Sequence, residues 1–197
     1  MKFIICICMC LFLMLGLAGC SGGNSADKSD SSVSASSEQP LMPELEYTDI
    51  SELLLKGKAF GKGITECGLP PENLFVEDEK MQGYDYVSLF GLEGALSVYL
   101  SDGNVTSFVF GSNPFESKEE FRQAFDNMNN QIAEKTGMET VLPVLFGAQG
   151  DGDEVDKVFS GTGVLSAEYK LSEISLSVKS CGVNETATIV VECAPVK

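Results

Sequence analysis

The order in which helix and strand patterns follow one another constrains the fold of this chain more than any other feature. A capping-box sequence, Ser117-Lys-Glu-Glu120, begins a helical run of apolar residues that Gly137 is expected to end. Three runs of strand-like residues precede this helix and three more follow it. The helical positions are Phe121, Phe125, Met128 and Ile132, and the strand-like runs are Tyr84–Phe90, Ala95–Ser101, Val105–Gly111, Gly163–Lys170, Glu173–Lys179 and Thr186–Glu192.

A shorter helical segment precedes the first three runs. Thr48 is expected to cap it and Gly57 to end it, and a further helical turn or two is expected between Lys58 and Cys67. A helix followed by three strands therefore occurs twice. The sequence predicts an α+β fold, in which two similar halves, each a helix plus an antiparallel meander, form one domain over residues 44–197.

A shared tripeptide indicates that the two halves arose by duplication. Leu96-Ser-Val98 and Leu176-Ser-Val178 both lie in the middle strand of their half, 80 residues apart. This arrangement, with a first helical region that stops at Cys67-Gly-Leu-Pro70, resembles the tandem helix-plus-sheet folds of the β-lactamase inhibitor protein and of small envelope lipoproteins with that fold. The resemblance spans most of Thr48–Cys193. It implies a fold and carries over no functional residue.

The Asp102-Gly103 pair predicts a tight hairpin, and so a register for the strands on either side of it. In that register one face of the hairpin is aliphatic and would be buried under a helix, while the other carries hydroxyl and aromatic side chains. The expected pairs are Leu100 with Val105, Val98 with Ser107, and Leu96 with Val109.

The second face of this hairpin is our candidate partner-binding surface, since aromatic and hydroxyl groups suit contact with a protein or a glycan. Its predicted residues are Tyr99 and Phe108, joined by Tyr84 and Tyr86 from the preceding strand. The alternative, which we favour at this point, is that the second half of the molecule or its own loops cover this face. Aromatic residues at strand spacing usually belong to a core.

The strands of the second half predict an apolar core face and a polar ladder. By the same alternation Cys181 falls on the face opposite Cys193, so a disulfide between them would need a bulge. Cys67 with Cys193 is the freer pair, and three reduced thiols are the alternative. The core positions are Ile174, Leu176, Val178, Ile189, Val191 and Cys193, and the polar ones are Ser175, Ser177, Lys179, Thr186 and Thr188.

The first 19 residues have the pattern of an export signal. Lys2 precedes an apolar stretch, Phe3–Ala18, that is too short for a comfortable transmembrane helix. The segment closes with Leu17-Ala-Gly-Cys20, which resembles the lipobox of bacterial lipoproteins. An uncleaved membrane anchor or a chance cysteine is the alternative, because three further cysteines lie in the same stretch.

The lipobox resemblance implies a lipid anchor. Cleavage between Gly19 and Cys20 would leave Cys20 as the new N-terminus with a diacylglyceryl thioether, and two acyl chains suffice for stable anchoring. Residues 20–43 then form the lipidated cysteine and a flexible tether, since 8 serines lie between Ser21 and Pro43. We therefore expect a domain that is anchored to the cell membrane and faces outside the cytoplasm.

Charge and composition exclude several classes of function. Residues 1–19 hold one lysine, so the rest of the chain has 12 basic and 29 acidic side chains, a net charge of −17. Such a surface repels phosphate backbones, and we expect no nucleic-acid partner. The chain contains no His, which removes Ser-His and Cys-His nucleophile pairs and imidazole metal sites. Arg122 is its single arginine, and we expect no cofactor.

Gly147–Asp156 is the one stretch that resembles a metal-binding loop. Asp151, Asp153 and Asp156 offer the oxygen ligands that calcium prefers. The residues at the fifth, sixth and twelfth positions of that loop do not fit an EF-hand. We therefore interpret the stretch as a mobile acidic loop and expect no metal site.

The sequence favours a binding or interaction module of the cell envelope, whose ligand is an envelope protein or a sugar polymer. One alternative is a carboxylate-dependent hydrolase acting on cell-wall polymers, and another is a structural component of envelope assembly. The acidic pairs that a hydrolase would need are not distinguished here. Solvation and the helix dipole explain Glu77-Asp-Glu79 and Glu119-Glu120 better than catalysis does.

Overall fold

One sheet organises residues 46–147 and 151–196, the parts of the chain that the computed structural model describes. The strands are β1 Thr48–Asp49, β2 Leu74–Glu77, β3 Met81–Leu89, β4 Leu92–Ser101, β5 Asn104–Ser112, β6 Val144–Phe146, β7 Val164–Lys170, β8 Ile174–Val183 and β9 Thr186–Pro195. Their order across the sheet is β1-β3-β4-β5-β9-β8-β7-β6, and β2 pairs with β3. All of these pairs are antiparallel except β1 with β3. The fold is α+β, with a large and mostly antiparallel sheet.

The described residues contain three α-helices, α1 Ser51–Lys56, α2 Lys118–Thr136 and α3 Glu154–Phe159, which pack into one apolar core with the sheet. We call the side of the sheet that contributes to this core the core face and the other side the outer face. A large apolar side chain contributes about 1.5–3 kcal/mol when fully buried. The apolar stripe of α2, which is at most 2% exposed, therefore fixes this helix on the core face: Phe121, Phe125, Met128 and Ile132.

Helix α2 begins and ends as the sequence predicts. The Ser117 hydroxyl accepts a hydrogen bond from the backbone N–H of Glu120 at 3.3 Å. Gly137 ends the helix in the left-handed conformation, with φ 69°. Near the middle of the helix, the buried hydroxyl of Tyr169 on β7 donates to the side-chain oxygen of Asn129 at 2.9 Å. This contact links the longest helix to the second half of the sheet.

The segment before the first long strands differs from the prediction. Thr48 does not cap a helix, because it lies in β1 and pairs with Val87 of β3 in parallel register. Gly57 ends α1 as predicted, with φ 60°. Between Lys58 and Cys67, the last four residues form a 3-10 turn.

All six predicted runs form strands, namely β3, β4, β5, β7, β8 and β9. Strand β6 and helix α3, which have 3 and 6 residues, are not predicted from the sequence. Elements this short do not establish a period.

The two halves differ in how well alternation predicts their register. Between β8 and β9, ten consecutive pairs are unbroken, and the predicted core positions are all buried. Between β4 and β5, Leu100 pairs with Val105 as predicted, but Val98 pairs with Phe108 and Leu96 with Phe110. A β-bulge shifts the register by one residue beyond the hairpin, so the predicted pairs are wrong there.

Candidate functional site

The middle of the outer face carries small and charged side chains side by side. One cross-strand row runs through Ser97, Val109, Glu192 and Ser177, on β4, β5, β9 and β8. The Ser177 hydroxyl is buried in this row and has no hydrogen-bond partner among the described residues. Lys179, on the same face, forms an ion pair with Glu192 at 2.7 Å. The centre of the outer face thus combines hydroxyl, aliphatic and charged side chains.

The structure separates the four predicted partner-binding residues. Tyr99 is half-buried, and Tyr86 is 40% exposed. Phe108 and Tyr84 are 0% and 5% exposed, because both lie on the core face. The expectation that these two belong to an accessible aromatic surface is therefore wrong.

Each of the two buried aromatics has a structural reason for its position. Because of the bulge in β5, Phe108 pairs with Val98 on the core face, in the position that the predicted register assigned to Ser107. Tyr84 pairs with Leu96 of β4, and its hydroxyl donates a hydrogen bond to the side-chain oxygen of Gln82 at 2.7 Å. Both rings stabilise the core and are not available to a partner.

A second bulge, in β3, turns Tyr86 outward. Asp85 and Tyr86 together lie opposite a single residue of β4, between the pairs of Tyr84 with Leu96 and of Val87 with Gly94. Tyr86 has φ 51°, a left-handed conformation that costs a residue with a Cβ atom about 1–2 kcal/mol. The buried side chain of Asn73 donates to the Tyr86 carbonyl at 3.3 Å, which helps to hold this conformation.

Tyr86 forms an exposed aromatic pair with Tyr47. The ring centroids lie 5.8 Å apart, and the ring planes are inclined by 55°. Tyr47 immediately precedes Thr48, so the parallel pairing of β1 with β3 brings it beside the bulge. The two side chains are 39% and 40% exposed, which leaves much of both rings accessible to a ligand.

A carboxylate and an amide lie beside this aromatic pair. Glu93 pairs with Ser88 across β3 and β4, and its carbonyl accepts the backbone N–H of Asn113 at 2.9 Å. The Glu93 carboxylate raises the pKa of Tyr47 through a hydrogen-bonding interaction, and the Asn113 side chain opposes this effect. We call Tyr47, Tyr86, Glu93 and Asn113 the tyrosine site.

The surroundings of the tyrosine site are acidic. Residues 81–117, which include β3, β4 and β5, contain four acidic side chains and no lysine or arginine. One of them is Asp85, next to Tyr86, and partial burial raises the pKa of its carboxyl. The part of the chain that is described has three salt bridges, and none of them involves Glu93.

Two further groups of exposed apolar side chains lie near the edges of the sheet. At one edge, the short strand β6 exposes Val144 at 54% and Phe146 at 57%, close to Leu142. At the other edge, Phe75 and Val76 of β2 lie over Gly83 of β3, where a Cβ atom would come within 2.9 Å of the Phe75 ring.

The acidic loop before α3 serves to start that helix. Asp153 and Asp156 form a capping box, in which each side chain accepts a backbone N–H of the other residue. Lys118 of α2 donates to Asp156 at 2.6 Å, and this hydrogen bond lowers the pKa of the Asp156 carboxyl. Within residues 46–147 and 151–196, no group of three or more Cys, Asp or Glu side chains is arranged to hold a metal ion.

The described cysteines are structural. Cys193 is 0% exposed on the core face, its thiol donates to the Leu54 carbonyl at 3.4 Å, and burial raises its pKa to about 12. Cys67 is half-buried and, like Cys193, has a free thiol, so the Cys67–Cys193 bridge is not formed and these two residues follow the reduced alternative. Cys181 pairs with Thr188 on the opposite face from Cys193, as alternation predicts.

Sequence reasoning found one of the four residues of the tyrosine site. Tyr86 is a predicted residue, while Tyr47, Glu93 and Asn113 are not. Tyr47 reaches Tyr86 through a parallel pairing between strands almost 40 residues apart, which no local pattern reveals. Two features of the sequence point to this site. They are the aromatic residue Tyr47 next to Thr48 and the absence of lysine and arginine from residues 81–117.

No protein-family model, no curated protein and no solved structure matches this chain. Within the described residues, no helix has both the length and the apolar character that crossing a membrane requires. The predicted export signal, the lipid-attachment residue Cys20 and the tether lie outside the described residues.

Proposed function

We propose that this chain is a lipid-anchored extracytoplasmic lipoprotein of a bacterial cell envelope, and that its α+β domain is a binding module without catalytic activity. The proposed anchor rests on the sequence Leu17-Ala-Gly-Cys20 and on the short apolar stretch before it. The binding role rests on one observation. A strained bulge in β3 displays Tyr86 on the surface beside Tyr47.

Strain of this kind supports a functional interpretation. A tyrosine in the left-handed region lowers stability, and such residues concentrate at ligand-binding and active sites. Bulges also re-aim side chains next to such sites. Tyr86 is 40% exposed and does not belong to the cluster of buried core residues.

We also propose that the domain consists of two similar halves, each a helix plus an antiparallel meander. The strands β3-β4-β5 and β7-β8-β9 are consecutive meanders that meet where β5 pairs with β9. Ser97 and Ser177 lie in one cross-strand row, at equal distances from this junction. Leu96 shares its row with Val178, and Val98 shares its row with Leu176, as a twofold relation between the halves would require. The resemblance to the tandem fold of the β-lactamase inhibitor protein rests on the same proposal.

The binding role can be tested by cross-linking in intact cells. The full chain with a C-terminal affinity tag would be expressed in the bacterium that encodes it, treated with a cell-permeant cross-linker and purified from the envelope. We expect a stoichiometric partner that is lost from a Tyr47→Leu, Tyr86→Leu double variant. A Phe146→Leu variant is the matched control, because Phe146 is an exposed aromatic at the far edge of the sheet.

Other outcomes would favour the alternatives. A partner that both variants retain equally would support a structural role in envelope assembly through another surface. If no partner is captured and the purified chain releases soluble fragments from isolated cell wall, the result would favour the hydrolase alternative over a binding module.

The anchor has its own test. Replacing Cys20 with Ser should prevent the increase in mass that acylation adds and move the protein from the membrane fraction to the soluble fraction. Mass spectrometry and fractionation measure both. An unchanged mass and unchanged partitioning would contradict lipidation at Cys20.

A further inference from the structure

We propose that the tyrosine site binds an ammonium group, supplied by a lysine side chain of a protein partner. This inference rests on the proposed binding function and names the chemistry that the site recognises. Tyr47 and Tyr86 would contact the cation with their ring faces, and Glu93 would supply the opposing charge.

The two rings have the arrangement that an ammonium group requires. A cation is attracted to the face of an aromatic ring when it lies within about 6 Å of the ring centroid. The Tyr47 and Tyr86 ring centroids lie 5.8 Å apart, and the ring planes are inclined by 55°. At this spacing, a single small cation beside the pair can lie within that distance of both ring centroids. A flat sugar ring would instead stack on the exposed face of a single aromatic ring.

The carboxylate gives the site its charge preference. Glu93 lies on β4, the strand that pairs with the bulged strand β3, and its carboxylate raises the pKa of Tyr47. Its side chain is exposed and forms no salt bridge within the described residues. A neutral ligand would leave this carboxylate without a positive partner, whereas a lysine ammonium would form an ion pair with it.

The wider charge distribution favours a cationic partner. Residues 81–117 contain no lysine or arginine, so β3, β4 and β5 hold no internal cation that could occupy the site. The formal net charge of the chain is −16, which attracts basic partners over long range and repels acidic ones. We name lysine because its ammonium is a compact point charge, whereas a guanidinium is broad and planar.

The test is an NMR titration of the full chain in a neutral detergent, with the tyrosine rings isotopically labelled. The probes are a blocked Gly-Lys-Gly peptide, the same peptide with its lysine Nε acetylated, and a neutral trisaccharide. We expect the lysine peptide to shift the Tyr47 and Tyr86 ring signals saturably. Binding of the acetylated peptide should be at least tenfold weaker, because acetylation removes the positive charge.

Variants separate the contributions of the site. A cation–π contact at an exposed site contributes about 0.5–1 kcal/mol, so Tyr86→Leu should weaken binding about two- to fivefold. Glu93→Gln should weaken it by a similar factor and reduce its dependence on salt. Phe146→Leu should bind as the native chain does, and the melting temperature of each variant reports whether it is folded.

Three results would overturn the inference: equal binding of both peptides, binding of the trisaccharide instead, or ring signals that do not move. These failures are distinguishable from failure of the proposed function. If cross-linking still captures a partner that the Tyr47→Leu, Tyr86→Leu variant loses, the binding module stands and only the lysine chemistry is wrong. If the cross-linked partner is also absent, both proposals are wrong.

Discussion

The two halves of the sheet differ in regularity, and this difference separates framework from site. In the second half, β8 and β9 form ten consecutive pairs without interruption. In the first half, both the β3–β4 and the β4–β5 ladders are broken by bulges. Both halves contribute to the core, and the irregular half also displays Tyr86 of its bulged strand in an aromatic pair at the surface.

Backbone strain follows the same division. Five described residues other than glycine have a positive φ, and four of them lie in hairpin turns: Phe90, Asp102, Asn184 and Glu185. The fifth, Tyr86, lies within a strand. A turn needs such a conformation to reverse the chain, but a strand does not. The strain at Tyr86 is therefore the feature of the first half that most needs a functional explanation.

The largest change in stability is expected from a substitution that overpacks the regular half. An alanine at Gly182 of β8 would place its Cβ atom 1.6 Å from the carbonyl oxygen of Val158 in α3, so the helix would have to move off the sheet. We expect Gly182→Ala to cost about 3 kcal/mol or more. In a domain of this size that lowers the melting temperature by about 6–12 °C, measured by circular dichroism.

Gly111→Ala on β5 is the matched control, because a Cβ atom there would meet nothing within 4 Å. It should change the melting temperature little. If the two alanines were equally harmless, the packing of α3 on β8 would not be as close as we describe.

A smaller effect is expected from the buried hydroxyl of Tyr169, which ties the regular half to α2. Tyr169→Phe leaves the Asn129 side-chain oxygen buried without this donor, at a cost of about 1–2 kcal/mol. Urea denaturation measures the change. Tyr99→Phe on the outer face is the control and should cost less than about 0.5 kcal/mol. Equal effects of the two changes would contradict the bridging role of Tyr169.

The smallest effect concerns the exposed ion pair of Lys118 and Asp156, which joins α2 to α3. The hydrogen bond from Lys118 holds the folded-state pKa of Asp156 below its ordinary value of 3.8. Because the pKa is lowered on folding, the carboxylate stabilises the fold above about pH 4, and this contribution is lost as the pH falls through the folded-state pKa.

Asp156→Asn should therefore lower the melting temperature slightly at pH 7 and not at pH 2. Asp151→Asn, in the same loop, should leave the difference between the two pH values unchanged. A variant that was as stable as the native chain at pH 7 would show that the ion pair does not contribute.

The two halves also differ in how much of their structure could be predicted from the sequence. Alternation alone predicts the core face of β8 and β9, because no bulge interrupts it and each period-2 assignment carries to the end of the strand. The same reasoning places Phe108 on the wrong face, because the extra residue in β5 reverses every side chain beyond it. Capping chemistry predicts α2 at both ends, since Ser117 and Gly137 act through neighbouring backbone groups.

The candidate site was the least predictable part. It depends on the bulge at Tyr86 and on the pairing of β1 with β3, which joins residues that are far apart in the chain. A bulge depends on how neighbouring strands pair with one another, so the sequence of one strand alone does not predict it. The chemistry that could be predicted is the strong acidity of the chain and the absence of histidine.

The stability and binding of a Tyr86→Gly variant together test the central claim most directly. Glycine adopts a φ of 51° without strain, so its substitution should keep or raise the free energy of unfolding, by up to about 1 kcal/mol. The same variant should lose capture of the envelope partner. A gain or no change in stability together with lost binding is the result that our account predicts. A Tyr86→Gly chain that is clearly less stable, or that still binds its partner as the native chain does, would contradict it.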